Sequence, residues 1–161
     1  MQIFLMRHGI ATEPGEGGYA DDERPLTEEG RKRLKEAGRR LAGLIDPPSH
    51  VLTSPLLRAL ETAEIAAREL GFTGSLETTK LLKPNSNPED LILSLAGFEA
   101  TSKLLLVSHQ PFVSRCLGEL LGVPYLSSDF KKGAVCRLDL DDPNSGRATL
   151  KWFASPGLLR E

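Results

Sequence analysis

The chain has 161 residues, 40% of them hydrophobic and 26% charged, a composition that suits one domain, residues 1–161, around one core. Its 20 basic and 22 acidic side chains leave a net charge of −2, so no overall basic field holds nucleic acid, and an anion has to be bound by a local pocket. No apolar run approaches the ~18 residues of a membrane span, no basic segment leads a long apolar one, and Cys116 and Cys136 lack CxxC spacing; we expect a cytoplasmic protein with two buried, inert thiols.

Gln2 to Met6 is an apolar run that reads as a buried strand, and Arg7-His8-Gly9 turns it abruptly. A guanidinium and an imidazole reach the end of a strand there, although the tripeptide alone is also the pattern of an ordinary turn. Ile10 to Glu23, with Gly15, Gly17 and Gly18 among acids, has no period and predicts a surface loop beside them. Arg24-Pro25-Leu26-Thr27 then leads into a helix capped by Thr27, with Glu28 and Glu29 in its first turn and Leu34, Ala37, Leu41, Leu44 and Ile45 inward, stopped by Asp46-Pro47-Pro48.

Val51 to Thr53 predicts a short strand, after which Ser54-Pro55 restarts a helix with Ser54 as its cap. Leu56, Leu60, Ala63, Ala67 and Leu70 give its buried face, and Gly71 ends it. A minor strand at 75–78, a polar loop from Lys80 to Pro88 and a shorter helix from about Glu89 to Ala96 follow. Lys103 to Ser108 is the clearest buried strand; it runs through His109-Gln110-Pro111 into a helix with Val113, Cys116, Leu117, Leu120 and Leu121 inward, ended by Gly122. Ala134 to Leu140 and Ala148 to Phe153 alternate about the turn Asp142-Pro143-Asn144-Ser145-Gly146, a hairpin pattern. The order predicts an α/β fold, a three-layer αβα sandwich whose mainly parallel sheet is made mixed by the C-terminal antiparallel hairpin.

In open α/β sheets the ligand crevice lies beyond the carboxyl ends of the strands. Three such ends carry Arg7-His8, Ser54 with Arg58, and Ser108-His109, while His50, after two prolines, reads as a surface residue. Arg58 falls in the first turn of a helix, where an exposed cation is disfavoured by roughly 0.3–1 kcal/mol unless an anion reverses the sign. Arg7, Arg58 and both histidines, with helix starts at Ser54 and His109, suit a phosphoryl dianion and an imidazole that attacks it. A metal is the rival for two facing histidines, but it wants a third carboxylate or thiolate and avoids arginines, so we expect none. Neither a Walker-type loop nor a nucleotide fingerprint occurs.

Leu5-Met6-Arg7-His8-Gly9, Arg24-Pro25-Leu26-Thr27 with Gly30, Ser54-Pro55-Leu56-Leu57-Arg58-Ala59 with Thr62, and Val107-Ser108-His109 resemble the histidine phosphatase superfamily, whose fold is phosphoglycerate mutase-like. Size and spacing are most similar to its SixA-type phosphohistidine phosphatases, over nearly the whole chain. The resemblance implies His8 as a nucleophile that becomes a transient phosphohistidine, Arg7, Arg58 and His109 on the phosphoryl oxygens, and Arg24 lining the same pocket. It further implies no cofactor, phosphate or another oxyanion in the site, a phosphohistidine-bearing protein as substrate, and a monomer in signal transduction.

Many members of the superfamily carry a glutamate as proton donor in the loop that here reads Lys80-Leu81-Leu82-Lys83-Pro84, and Leu81 stands at its place. Glu89, Asp90, Asp21 and Asp22 are the nearby carboxylates that could replace it. A phosphate ester expels an alkoxide, so protonating the bridging oxygen is worth about 10²–10⁴-fold. A phosphohistidine protonated on its distal nitrogen expels neutral imidazole, already a good leaving group given a side-chain pKa of about 6.5. The missing acid therefore favours P–N over P–O cleavage. The competing readings are a small-molecule phosphomonoesterase of the same superfamily and a silent phosphate-binding adaptor. Only Ile10 to Glu23 and Lys80 to Pro88 look long enough to rim the crevice, which predicts an open, shallow site.

Overall fold

The computed structural model describes residues 1–159. In chain order the elements are β1 (Gln2–Arg7), α1 (Glu28–Ala42), β2 (His50–Thr53), α2 (Leu57–Glu69), β3 (Glu77–Thr78), α3 (Pro88–Ser94), β4 (Lys103–Ser108), α4 (Phe112–Leu121), β5 (Val135–Asp139) and β6 (Thr149–Ala154). The strands form one six-stranded sheet in the order β3-β2-β4-β1-β5-β6. β1 to β4 pair in parallel, and β5 joins β1, and β6 joins β5, antiparallel.

The run Ile3-Phe4-Leu5-Met6 is continuous because β1 is covered on both faces. Ile3 and Leu5 enter a core with Leu91, Leu95, Phe112, Val113 and Leu117 from α3, the turn after it and α4, while Phe4 and Met6 enter one with Leu34, Ala37, Ala59 and Ala63 from α1 and α2. Each such side chain contributes roughly 1.5–3 kcal/mol when fully buried, which leaves no room for a charge until β1 ends. Arg7 pairs with Ser108 and Thr53 with Val107, so the ends of β1, β4 and β2 lie level. Because β5 runs the other way, the segment before it, residues 122–134, arrives at that same end.

Several predicted boundaries move. α1 stops at Ala42, so Leu44 is exposed and Ile45 only half-buried. α2 begins at Leu57 rather than at Ser54, whose Oγ accepts the Leu56 N–H at 3.3 Å in a tight turn ahead of the helix. α4 begins at Phe112, three residues after His109, and α3 tightens at its end into a 3₁₀ turn, Leu95–Gly97. His50 is half-buried, its ring 5.1 Å from that of Phe98, rather than a surface residue. Both cysteines are free and buried, and burial pushes each thiol up to about 12. Among the described residues no helix is long and apolar enough to cross a membrane.

Candidate active site

His8 follows the last residue of β1, and its backbone N–H donates to the Ser108 carbonyl at 2.9 Å, continuing the ladder past the strand. Its Nδ1 lies 2.7 Å from the Gly9 carbonyl oxygen, which can only accept, so Nδ1 carries the proton and Nε2 keeps the lone pair. Burial, above all, lowers the His8 pKa to about 3, against the pull of that hydrogen bond and with help from Arg58, Arg7 and Lys132. His8 is therefore a neutral imidazole at pH 7. A Cβ at Gly9 would stand 2.6 Å from Leu34 Cδ1, so the turn that carries His8 admits only glycine without repacking α1.

Thr62, buried in α2, ties two parts of the site together. Its Oγ1 accepts the Gly9 N–H at 3.0 Å and donates to the Arg58 carbonyl at 2.6 Å. Arg7 donates through Nη1 to the Phe130 carbonyl at 2.8 Å, and the Gly133 N–H returns to the Arg7 and His8 carbonyls at 3.1 and 2.9 Å. His109 lies against His8 with ring centroids 5.0 Å apart, and its Nε2 is 2.8 Å from Ser54 Oγ. Burial, followed by coupling to the neighbouring His8 ring and the charges of Arg58, Arg7 and Arg24, lowers its pKa to about 2. Arg7 Nε, Arg58 Nε and His109 Nδ1 are buried without a protein partner.

Above this floor the loop from Glu13 to Glu23 is exposed throughout. Arg58, only 4% exposed itself, donates through Nη1 to the Asp21 carbonyl at 2.6 Å, and its Nη2 lies 3.3 Å from Asp21 Oδ2. Arg24 pairs with the other carboxylate oxygen of Asp21 at 2.9 Å and donates to the Thr12 carbonyl at 2.6 Å. Partial burial raises the Asp21 pKa, but the Arg24 hydrogen bond and the charges of Arg58 and Arg24 outweigh it and hold the carboxyl below its usual value. On the other side Glu13 reaches Lys132 at 3.6 Å. Glu61 fixes the approach of the Arg24 segment, accepting the Leu26 N–H at 2.7 Å and pairing with Arg31 at 2.6 Å.

Arg7, His8, Arg24, Arg58 and His109 are thus gathered at one end of the sheet, within electrostatic reach of one another. The two helix starts are not at Ser54 and His109: α2 begins at Leu57, with the Ser54 hydroxyl on His109 and the Leu56 N–H, and α4 begins at Phe112. Asp21 is an ionised partner of two arginines rather than a spare acid, and Glu89 and Asp90 are exposed in the first turn of α3. Contrary to the expectation that only Ile10 to Glu23 and Lys80 to Pro88 could rim the crevice, the 122–134 segment reaches it too: it brings the Phe130 carbonyl to Arg7 and Lys132 to His8. Only the position of Ser54, directly after a strand end, could have suggested its contact with His109. A cleft of about 470 Å³ opens beside the site between α1 and Asp129–Gly133; of the five residues only Arg7 lines it. No group of three or more potential metal ligands occurs among the described residues.

A fold with this sheet order, and a His-Arg-Arg-His cluster where its parallel strands end, defines a class of phosphoryl-handling enzymes. The model of the histidine phosphatase superfamily, branch 1, matches residues 3–83, and the chain belongs to that superfamily. It is 31% identical to the phosphohistidine phosphatase SixA of Escherichia coli (strain K12) over 99% of this chain and 97% of that one. The solved structure of the protein histidine phosphatase SixA complexed with tungstate superposes with a TM-score of 0.88 at 31% identity, covering 99% of this chain and 100% of that chain. An uncharacterised protein of a Picosynechococcus strain is 42% identical over 120 residues, 69% of this chain and 67% of its own.

Proposed function

We propose that this protein is a phosphohistidine phosphatase acting on phosphorylated protein histidines, through a phosphohistidine intermediate on His8. The observation that carries the reading is a neutral His8 with its Nε2 lone pair free, among cations and without a protonated carboxyl beside it. In the first step Nε2 attacks phosphorus in line while Nδ1 keeps its proton, the new N–P bond forms as the substrate's P–N bond breaks, and the substrate, already protonated on its distal nitrogen, leaves as a neutral imidazole without taking a proton from the site. In the second step water attacks phosphorus, the His8–phosphorus bond breaks, inorganic phosphate leaves, and the water's protons remain with phosphate and solvent. Arg7, Arg24 and Arg58 take the phosphoryl oxygens as fixed charges, and His109 adds a donor. The tungstate held by the SixA relative supports an oxyanion there.

We read residues 1–161 as one catalytic domain acting as a monomer in a phosphotransfer signalling pathway of the cytoplasm. The two free, buried thiols suit that compartment. A side-by-side measurement of kcat/KM on a phosphorylated phosphotransfer domain and on sugar phosphates tests the assignment. Clear preference for the phosphohistidine, with a burst of dephosphorylated substrate ahead of phosphate release, is the expected result. Preference for the sugar phosphate would make it a phosphomonoesterase, and phosphate binding without turnover an adaptor.

A further inference from the structure

A buried hydroxyl sends its proton to whichever acceptor lies within reach. Ser54 is fully buried at the end of β2, and its Oγ has two partners, the Leu56 N–H at 3.3 Å and His109 Nε2 at 2.8 Å. The first contact uses an oxygen lone pair, so among the described residues the hydroxyl proton has one acceptor, His109 Nε2. A neutral His109 carries a single ring proton, and with Nε2 accepting from Ser54 that proton stands on Nδ1. Nδ1 is buried and has no protein partner, which is uncommon for a donor in a packed interior unless it serves a group that arrives with the substrate.

We infer that Ser54 is a positioning residue: it fixes His109 as the Nδ1–H tautomer and so makes it a hydrogen-bond donor to a phosphoryl oxygen during transfer. The inference rests on the phosphatase reading for the identity of that oxygen, but the tautomer follows from Ser54 and His109 alone. The opposite tautomer would use its only proton on Ser54 and offer a lone pair to the oxyanion, which repels it. His8 has the same tautomer for a different reason and to a different end: the Gly9 carbonyl takes its Nδ1–H, and the lone pair on Nε2 does the attacking. Two neutral imidazoles with centroids 5.0 Å apart are thus set so that one supplies electrons and the other a proton contact.

Two-bond proton–nitrogen correlation spectra of the ¹⁵N-histidine-labelled protein at pH 7.5 read the tautomer directly, with His109 assigned by its loss in His109→Asn. The expected spectrum shows His109 protonated on Nδ1 in the wild type and in Ser54→Thr, which keeps the hydroxyl. Ser54→Ala should admit the Nε2–H form and lower kcat on phosphohistidine by about tenfold to a hundredfold, with a smaller change in KM. Ser54→Thr should restore kcat to within a few-fold of wild type. A wild-type His109 protonated on Nε2 would overturn the inference, and so would a Ser54→Ala protein with unchanged tautomer and kcat. The wild-type spectrum needs no variant to fold. It is independent of turnover: a protein inactive on phosphohistidine but showing the Nδ1–H form would remove the phosphatase reading and leave the tautomer assignment standing.

Discussion

Arg7, His8, Ser54, Thr62 and His109 sit on strand ends or inside a helix and are held by hydrogen bonds among buried or, at Arg7, half-buried groups, whereas Asp21, Arg24 and Lys132 sit on loops and are held by ion pairs whose acidic partner is open to water. Arg58 belongs to both, with its carbonyl fixed by Thr62 and its guanidinium ending on Asp21. The difference teaches where geometry is set in advance. Floor contacts exclude water and are already in place when an anion arrives, so they cost no reorganisation during transfer. Exposed rim pairs are worth roughly 0–1 kcal/mol each and can exchange one anion for another. Substitutions in the floor should therefore cost rate, and substitutions in the rim should shift affinity.

The strongest test of that contrast is His8→Ala. Turnover should fall by about four orders of magnitude or more, while tungstate still binds because the arginines remain. Steady-state kinetics and calorimetry on one preparation separate the two, and an alanine variant that kept a tenth of the rate would remove His8 as nucleophile. Thr62→Val comes next. It keeps the shape but leaves the Gly9 N–H buried and unpaired, which should cost about 1–3 kcal/mol of stability. The accompanying drift of His8 against Arg58 should lower kcat/KM by about tenfold or more. Thermal melts and kinetics check both, and a variant that lost stability yet kept its full rate would show that Thr62 does not align the floor.

Acid should act on the floor too. His8 and His109 have pKa values lowered to about 3 and about 2, so below pH ~6.5, the unfolded value, the unfolded chain takes protons that the folded one refuses. Stability is thus complete above that pH and is lost as pH falls from it toward 3, by up to about 1.4 kcal/mol per pH unit for each histidine. Urea titrations at pH 7 and 5 should show the loss in wild type and a smaller one in His109→Gln. Equal losses would mean that His109 is not buried as a neutral ring.

The floor was legible in the sequence because its parts obey strong local rules. Apolar runs that end in Arg7-His8-Gly9 and Ser108-His109 mark strand ends, and level strand ends meet whatever lies between them. The rim was not. Glu13, Asp21 and Lys132 stand in segments without a period, and which of several acids meets which cation depends on loop paths that no spacing encodes. Ser54 shows the boundary between the two cases: Ser-Pro before an apolar helix is an ordinary capping pattern, and a single contact with His109, distant in sequence, redirects the hydroxyl. The helix then starts where the next unconstrained residues allow.

In the rim, Asp21→Asn should strengthen inorganic phosphate as an inhibitor by about two- to five-fold, since the Asp21 carboxylate, itself exposed, competes with the oxyanion for Arg58 and Arg24. The Arg58 contact to the Asp21 backbone carbonyl survives the change, so the guanidinium keeps its place. Weaker inhibition by phosphate would show that the carboxylate orients the arginines rather than competing for them.

The smallest effect expected is at Leu81, and it bears on the acid the site lacks. Leu81 is half-buried against the α3/α4 core, its N–H is held by Thr79 Oγ1 at 3.2 Å, and the next carbonyl, of Leu82, accepts from Ser108 Oγ at 2.6 Å, one residue before His109. A glutamate placed there starts from backbone already tied to the floor. With an ordinary glutamate pKa of about 4.3, only about one molecule in 1,600 would be protonated at pH 7.5, so the gain for an unactivated alkyl phosphate should be a few-fold at most at that pH. It should grow toward pH 5.5 as the protonated fraction rises, staying below the 10²–10⁴-fold that a tuned acid supplies. Phosphohistidine, whose imidazole leaves neutral, should gain nothing at either pH. Values of kcat/KM for both substrates, in wild type and Leu81→Glu at pH 5.5 and 7.5, decide the matter. Equal changes for the two, or a loss confined to the alkyl ester in a folded variant, would break the link drawn between a missing proton donor and P–N chemistry.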